Sequence, residues 1–275
     1  MADTPANATP NVTGNLPLYK NPQPLNITEH KGKGLKYGGE PFAFLRETHF
    51  VPLTVGEFGI AATRYPIIFL GDNRVPVAAM GLQAGQNLMV TANGEFEENA
   101  YVPAFVRRYP FVAASHTDEA ERFTVCVDSE SHLFSDQPDQ PFFNDDGTPT
   151  DFTQRAIDFV RRFEGDAAAT NSFVARMKEL DLFDKQEATF QPRDQAGNPV
   201  GEPQIVASYW GISGDKLKDL SGELLVDLRD NTYLGAIYAH MLSMSQWEMM
   251  IARAGRAQQG AGGAPAMAPP PAPEQ

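Results

Sequence analysis

One cysteine, Cys126, is present in 275 residues. A lone thiol closes no intramolecular disulfide and builds no cysteine-based zinc motif. Long apolar runs are missing too. No window approaches the ~20 apolar residues of a spanning helix, so no transmembrane segment is expected. Cations are in the minority, with 22 Lys and Arg against 35 Asp and Glu, a net charge of −13 and a pI near 4.8. That balance argues against a non-specific grip on nucleic acid or anionic lipid, and only weakly implies basic partners or divalent cations.

Other absences narrow the chemistry. The five histidines (His30, His49, His116, His132, His240) show no HxH, HxxxH or HExxH spacing. No metal site is therefore expected. G-x-G-x-x-G, GxxxxGK[ST] and G-x-S-x-G do not occur, so no cofactor is implied and nucleotide-binding and hydrolase folds lack a motif. The start of the sequence has no basic segment followed by an apolar core, which predicts a cytoplasmic protein.

What the chain does have is one short phrase written twice. Val51-Pro52, a segment able to coil, and Arg64-Tyr65-Pro66-Ile67 form the first copy. Val102-Pro103, a shorter segment, and Arg108-Tyr109-Pro110-Phe111 form the second. Proline fixes φ near −65° and biases its predecessor to extended backbone, so each copy reads as extended, short helix, extended. Thr54 with Glu57 three residues on is a capping-box pattern for the first helix.

With 42% hydrophobic residues the chain can bury a sizeable core. The pattern predicts an α+β fold, with a mostly antiparallel sheet in the N-terminal half and a helical C-terminal half packed on it. Residues 1–39 read as a mobile arm, of which Leu16 to Leu25 can pack as an extended strip, 40–252 as a single domain and 253–275 as a disordered Ala/Pro/Gly tail. Within the domain, strands are expected over 42–53, 66–70, 75–82, 88–92, 110–114 and 122–127, with the second to fourth forming two adjacent hairpins. Residues 129–147 read as a solvated acidic loop. Thr148-Pro149 should open one helix bent near Gly165, or two in series. A hairpin is expected over 188–191 and 204–210, with Ser213 and Ser221 capping short helices. Leu234, Ile237, Tyr238, Met241, Leu242 and Ser245 are expected as the core stripe of a helix running to about Ala252.

The candidate binding residues are Glu57, Arg107, Arg108, Tyr109 and His240; no catalytic set is identified. Adjacent arginines can clamp a carboxylate or phosphate, although pairing with nearby acids is their commoner role. His240, beside Tyr238 and Met241, is more often a hydrogen-bonded core histidine than a base. Cys126 lies between two valines and reads as buried and inert.

Several motifs in order resemble the SapC family of bacterial proteins. They are Val51-Pro52-Leu53 with Glu57-Phe58 and Tyr65-Pro66-Ile67, then Tyr101-Val102-Pro103-Ala104 with Arg107 to Phe111. Cys126-Val127-Asp128, Phe142-x-Asn144-Asp145-Asp146-Gly147 and Ile237-Tyr238-Ala239-His240-x-Leu242-Ser243 follow. The resemblance implies association with a bacterial surface layer or cell envelope through protein contacts, including self-association. It implies no catalytic residues, and it is distinct from the like-named permease of peptide transporters. A place at the cell surface would then require an export route that the sequence does not reveal. The alternative is a cytosolic enzyme or small-molecule binder in which the five candidate residues meet in a pocket between sheet and helices.

Overall fold

The computed structural model describes residues 18–116, 119–191 and 199–260. In chain order, β1 (Pro22–Pro24), the helical turn α1 (Ile27–His30) and β2 (Gly34–Leu35) come first. A 3-10 turn (Ala43–Leu45), β3 (Phe50–Pro52), a second 3-10 turn (Val55–Glu57), α2 (Phe58–Ala61), β4 (Ile67–Leu70) and β5 (Val75–Ala79) follow. Next are α3 (Ala104–Arg107), β6 (Phe111–His116), β7 (Glu119–Asp128), β8 (Phe134–Ser135) and β9 (Gln140–Pro141). The rest comprises α4 (Asp151–Glu179), β10 (Phe183–Phe190), β11 (Gln204–Ile212), α5 (Gly214–Lys218), α6 (Gly222–Asp230), α7 (Tyr233–Ser243) and α8 (Gln246–Gly260). This is an α+β protein. Every named strand pair is antiparallel.

The chain divides into two compact units. The first comprises the described residues up to Phe44 together with Arg107–Gly165, and the second Leu45–Val106 together with the described residues from Asp166. The division passes through the second copy of the proline phrase, between Val106 and Arg107.

In the first unit β1, β7 and β6 form one sheet, and β8, β2 and β9 another. Leu35, Tyr109, Phe111, Val127, Leu133, Phe142 and Val160 make its core. Residues 18–39 are therefore built into the fold and do not form a mobile arm, with β1 inside the stretch from Leu16 to Leu25. Their anchor is the buried carboxylate of Asp128, which accepts the backbone N–H groups of Lys20 (3.0 Å) and Asn21 (2.9 Å). The expected acidic loop also has structure, because β8 and β9 clasp β2 and bury Leu133 and Phe142 between the charged residues.

In the second unit a five-stranded sheet has the order β10-β11-β4-β5-β3. Its core joins Ile68, Val77, Ala79, Val206, Tyr209 and Trp247. The β4–β5 hairpin matches expectation, but residues 88–92 form no strand and contribute only the isolated bridge Val90–Phe96. That segment spends its backbone elsewhere, Asn87 N–H on the Arg46 carbonyl and Leu88 N–H on the Met80 carbonyl. The 42–53 stretch likewise keeps only β3, after a 3-10 turn. The second hairpin is longer than expected, spanning β10 and β11.

Helix boundaries moved for local reasons. α4 is one continuous helix of 29 residues passing through Gly165. Its first turn is capped by Thr150, whose Oγ1 accepts from Thr153 N–H at 3.3 Å, because Thr148 is committed to Asp146 and Asn144 in the preceding turn. α8 runs to Gly260, so residues 253–260 are helical and not part of a tail. Burial of Ala254 and an ion pair between Arg253 and Glu97 (3.0 Å) hold that end. The remainder of the expected tail, 261–275, and residues 1–17 of the arm lie outside the described residues.

Gly34 shows how tightly β2 is clasped. A Cβ there would overlap the Gln140 carbonyl oxygen and stand 2.7 Å from Pro141 Cα, whereas one at Gly38 would meet nothing within 4 Å. Gly34→Ala is expected to cost about 2 kcal/mol or more through overpacking, and Gly38→Ala under ~0.5 kcal/mol. Thermal unfolding of the two variants measures the contrast.

Candidate functional site

Three of the five candidate residues come together in the first unit. Arg107 ends α3, and Arg108 and Tyr109 lead into β6. With Leu35, Tyr37 and Phe111 they line a cavity of about 200 Å³, whose remaining wall is Phe152, Arg155, Ala156 and Phe159. Those four recur at i, i+3, i+4 and i+7, so one face of α4 supplies the wall. Arg107 lies 5.2 Å from the Phe159 ring centroid and Arg108 lies 4.2 Å from that of Phe163. Only 5% of Arg108 is exposed, and its Nη1 meets the Glu164 carboxylate at 3.4 Å. Burial raises the Glu164 pKa, and Arg108 partly offsets the rise.

Tyr109 stacks on Phe44 at 4.0 Å between centroids. Burial pushes its phenol up to about 12, so it stays neutral at physiological pH. Tyr19 packs beside it, donates its hydroxyl to the Phe111 carbonyl at 2.8 Å, and is raised still further, chiefly by burial.

Arg155 and Phe152 also line a second, more polar cavity of about 410 Å³ with Gln140, Pro141, Asn144, Thr150 and Asp151. Sequence reading took α4 only as core periodicity and missed Arg155 and Tyr37. The signal was the arginine set at i+3 and i−4 from Phe152 and Phe159.

Glu57 and His240 belong to the second unit and line neither cavity. The capping box at Thr54 forms as the sequence predicts, and the buried Glu57 carboxylate does more than cap. Oε2 accepts from the N–H and the hydroxyl of Thr54, each at 2.8 Å. Oε1 accepts from the Tyr101 hydroxyl (2.8 Å) and from Ala104 N–H (2.6 Å). Four donors on two oxygens tie the first proline phrase to the start of the second.

His240 is 1% exposed. Its Nδ1–H donates to the Ile67 carbonyl at 2.7 Å, and Nε2 accepts from Ile212 N–H at 2.9 Å. One neutral tautomer satisfies both bonds. Burial lowers its pKa to about 4. Ser243, one turn along, accepts from Ile67 N–H (2.9 Å) and donates to the His240 carbonyl (2.6 Å). The two polar side chains of α7 thus complete both backbone groups of one β4 residue.

Cys126 is fully buried, and burial pushes its thiol up to about 11. Among the described residues no three His, Cys, Asp or Glu side chains are grouped to hold a metal ion. No helix among them is long and apolar enough to cross a membrane.

The family model of SapC matches residues 25–250. The chain belongs to the SapC family. No curated protein and no solved structure matches it. In this SapC chain, the motifs quoted from the sequence fall on the bonds just described. Glu57, Tyr101 and Ala104 share one carboxylate, Asp128 anchors β1, and His240 and Ser243 complete β4.

Two outcomes are expected. Glu57→Ala leaves Ala104 and Thr54 N–H groups unpaired and should cost about 3 kcal/mol; Glu57→Gln should cost about 2 kcal/mol, since its amide N–H₂ faces donors. Tyr101→Phe should cost only about 1 kcal/mol, and urea unfolding ranks the three. For His240, the unfolded chain takes up a proton near pH 6.5 that the folded chain refuses until about pH 4. The contribution is therefore fully present above pH 6.5 and falls by about 3 kcal/mol as pH drops through 4. His30 and His49, also lowered by burial, act with the same sign. Unfolding midpoints at pH 7, 5.5 and 4 should fall less steeply in His240→Asn, and imidazole NMR should show the Nδ1–H tautomer down to about pH 4.

Proposed function

We propose that this protein is a non-catalytic accessory protein of the cell envelope, related to the surface layer, that works by binding a protein partner. Membership of the SapC family supports the envelope assignment. The observation that carries the contact reading is the outer face of α7. Tyr238 is 54% exposed and Leu242, one turn on, 72%. The sequence reading placed both in a core stripe. α7 is apolar nearly all round, and its buried face is Ile237, His240 and Ser243 because the last two reach the β4 backbone. Tyr238 and Leu242 are left facing solvent, a pair of large apolar side chains available for contact.

The two candidate residues of the second unit support the non-catalytic part. Glu57 and His240 are held in internal bonds to backbone and to neighbouring side chains. A second reading, a small-molecule-binding protein, is favoured by one observation, the arginine-lined cavity of the first unit.

Fractionation of native cells, followed by pull-down with the full chain, tests the proposal. The protein and at least one partner are expected in the envelope fraction. Leu242→Glu should abolish partner recovery while leaving the unfolding temperature unchanged. Protein confined to the cytosol with no envelope partner, or recovery unaffected by the substitution, would overturn it.

A further inference from the structure

The two cavities of the first unit share Phe152 and Arg155, and their linings differ in a way that describes one ligand. The smaller carries Arg107, Arg108 and Arg155 in a chain whose net charge is −13. Guanidinium groups match carboxylate or phosphate oxygens with planar forks and are weakly hydrated, so an anion can displace water from exposed ones. Arg107 is exposed beside the Phe159 ring, Arg108 is buried with its Nη1 on Glu164 (3.4 Å), Arg155 is exposed, and among the described residues no carboxylate pairs with Arg155. The space, about 200 Å³, equals about seven water volumes. It admits a single ring with its acid group and little more.

Beside the donors of Arg155 and the Gln140 amide, the larger cavity offers acceptors. The Asn144 amide N–H₂ is spent on Thr148 Oγ1 (3.0 Å) and the Pro149 carbonyl (3.3 Å), leaving its Oδ1 to accept. The Thr150 hydroxyl donates to the Pro141 carbonyl at 2.7 Å, and Asp151 presents a carboxylate. Acceptors call for hydroxyl donors, and Asp151 opposes a second negative charge. Phe152, between the two, offers an apolar wall for the C–H face of a ring.

We infer that these adjoining cavities form a site for an acidic saccharide, its acid group against Arg107, Arg108 and Arg155 and its hydroxyls toward Asn144 and Asp151. Inorganic phosphate would leave the apolar wall and the acceptors unused. An aromatic acid would leave the acceptors without donors, and a polyphosphate would meet Asp151. The inference rests on the small-molecule-binding reading and is independent of the envelope proposal.

Titration of the full chain with glucuronate, followed by calorimetry and amide NMR shifts, tests it, with glucose, benzoate and inorganic phosphate as parallel probes. Glucuronate should bind, and each of the other three at least tenfold more weakly. Arg155→Ala should weaken glucuronate at least tenfold. Arg161→Ala should not, because Arg161 lies on the same helix outside both cavities, paired with Asp158. Arg155 is exposed, so its substitution leaves the fold intact, and thermal unfolding checks this. Benzoate or phosphate binding as well as glucuronate would overturn the saccharide assignment while leaving a small-molecule site. Binding unaffected by Arg155→Ala would place the site elsewhere and overturn the inference. No binding of any probe by the folded chain would overturn both the inference and the reading beneath it.

Discussion

The second unit depends on one uncharged imidazole. β4 and β11 pair at a single register position, Trp210 with Phe69, and beyond it the backbone of β4 must find other partners. His240 reaches into that gap and joins the Ile67 carbonyl of β4 to the Ile212 N–H of β11. Ser243 takes the remaining N–H of Ile67. Buried backbone groups left unpaired are expensive, so a helix carrying His and Ser on its inner face is a condition for the sheet to extend from β5 to β10. The same constraint turns α7 so that Tyr238 and Leu242 face water.

The first unit solves a similar problem with a charge. β1 is three residues long and contains two prolines, so it brings few ladder donors of its own. The Asp128 carboxylate compensates by accepting from Lys20 and Asn21 just before it, and Ser129 N–H bonds the Asn21 carbonyl. A strand with so few donors of its own is thereby fixed to the end of β7. In both units, a polar side chain placed far along the chain finishes what the local backbone cannot.

This explains which parts of the structure were legible in the sequence. Short-range devices were: the Thr54–Glu57 box, the caps at Ser213 and Ser221, the hairpin at Gly71 and the α+β class itself each depend on residues a few positions apart. Asp128 acts on partners 107 and 108 positions away, and His240 on one 173 positions away, distances at which periodicity and spacing carry no information. The face of α7 could not be chosen, since its apolar residues surround the helix and the decision lay with two polar ones. Of the candidate residues, Arg107, Arg108 and Tyr109 share a cavity, but adjacency in sequence had already joined them. Arg155 needed α4 to be placed beside them before it became visible.

The solitary thiol has a use that follows from where β7 puts it. Cys126 is closed off from solvent in the sheet of β7, and burial disfavours ionisation of its sulfur. Any alkylating reagent must wait for that sheet to open, so the pace of modification becomes a clock for breathing of the first unit. The second unit contributes no competing signal, because the chain has no other sulfhydryl.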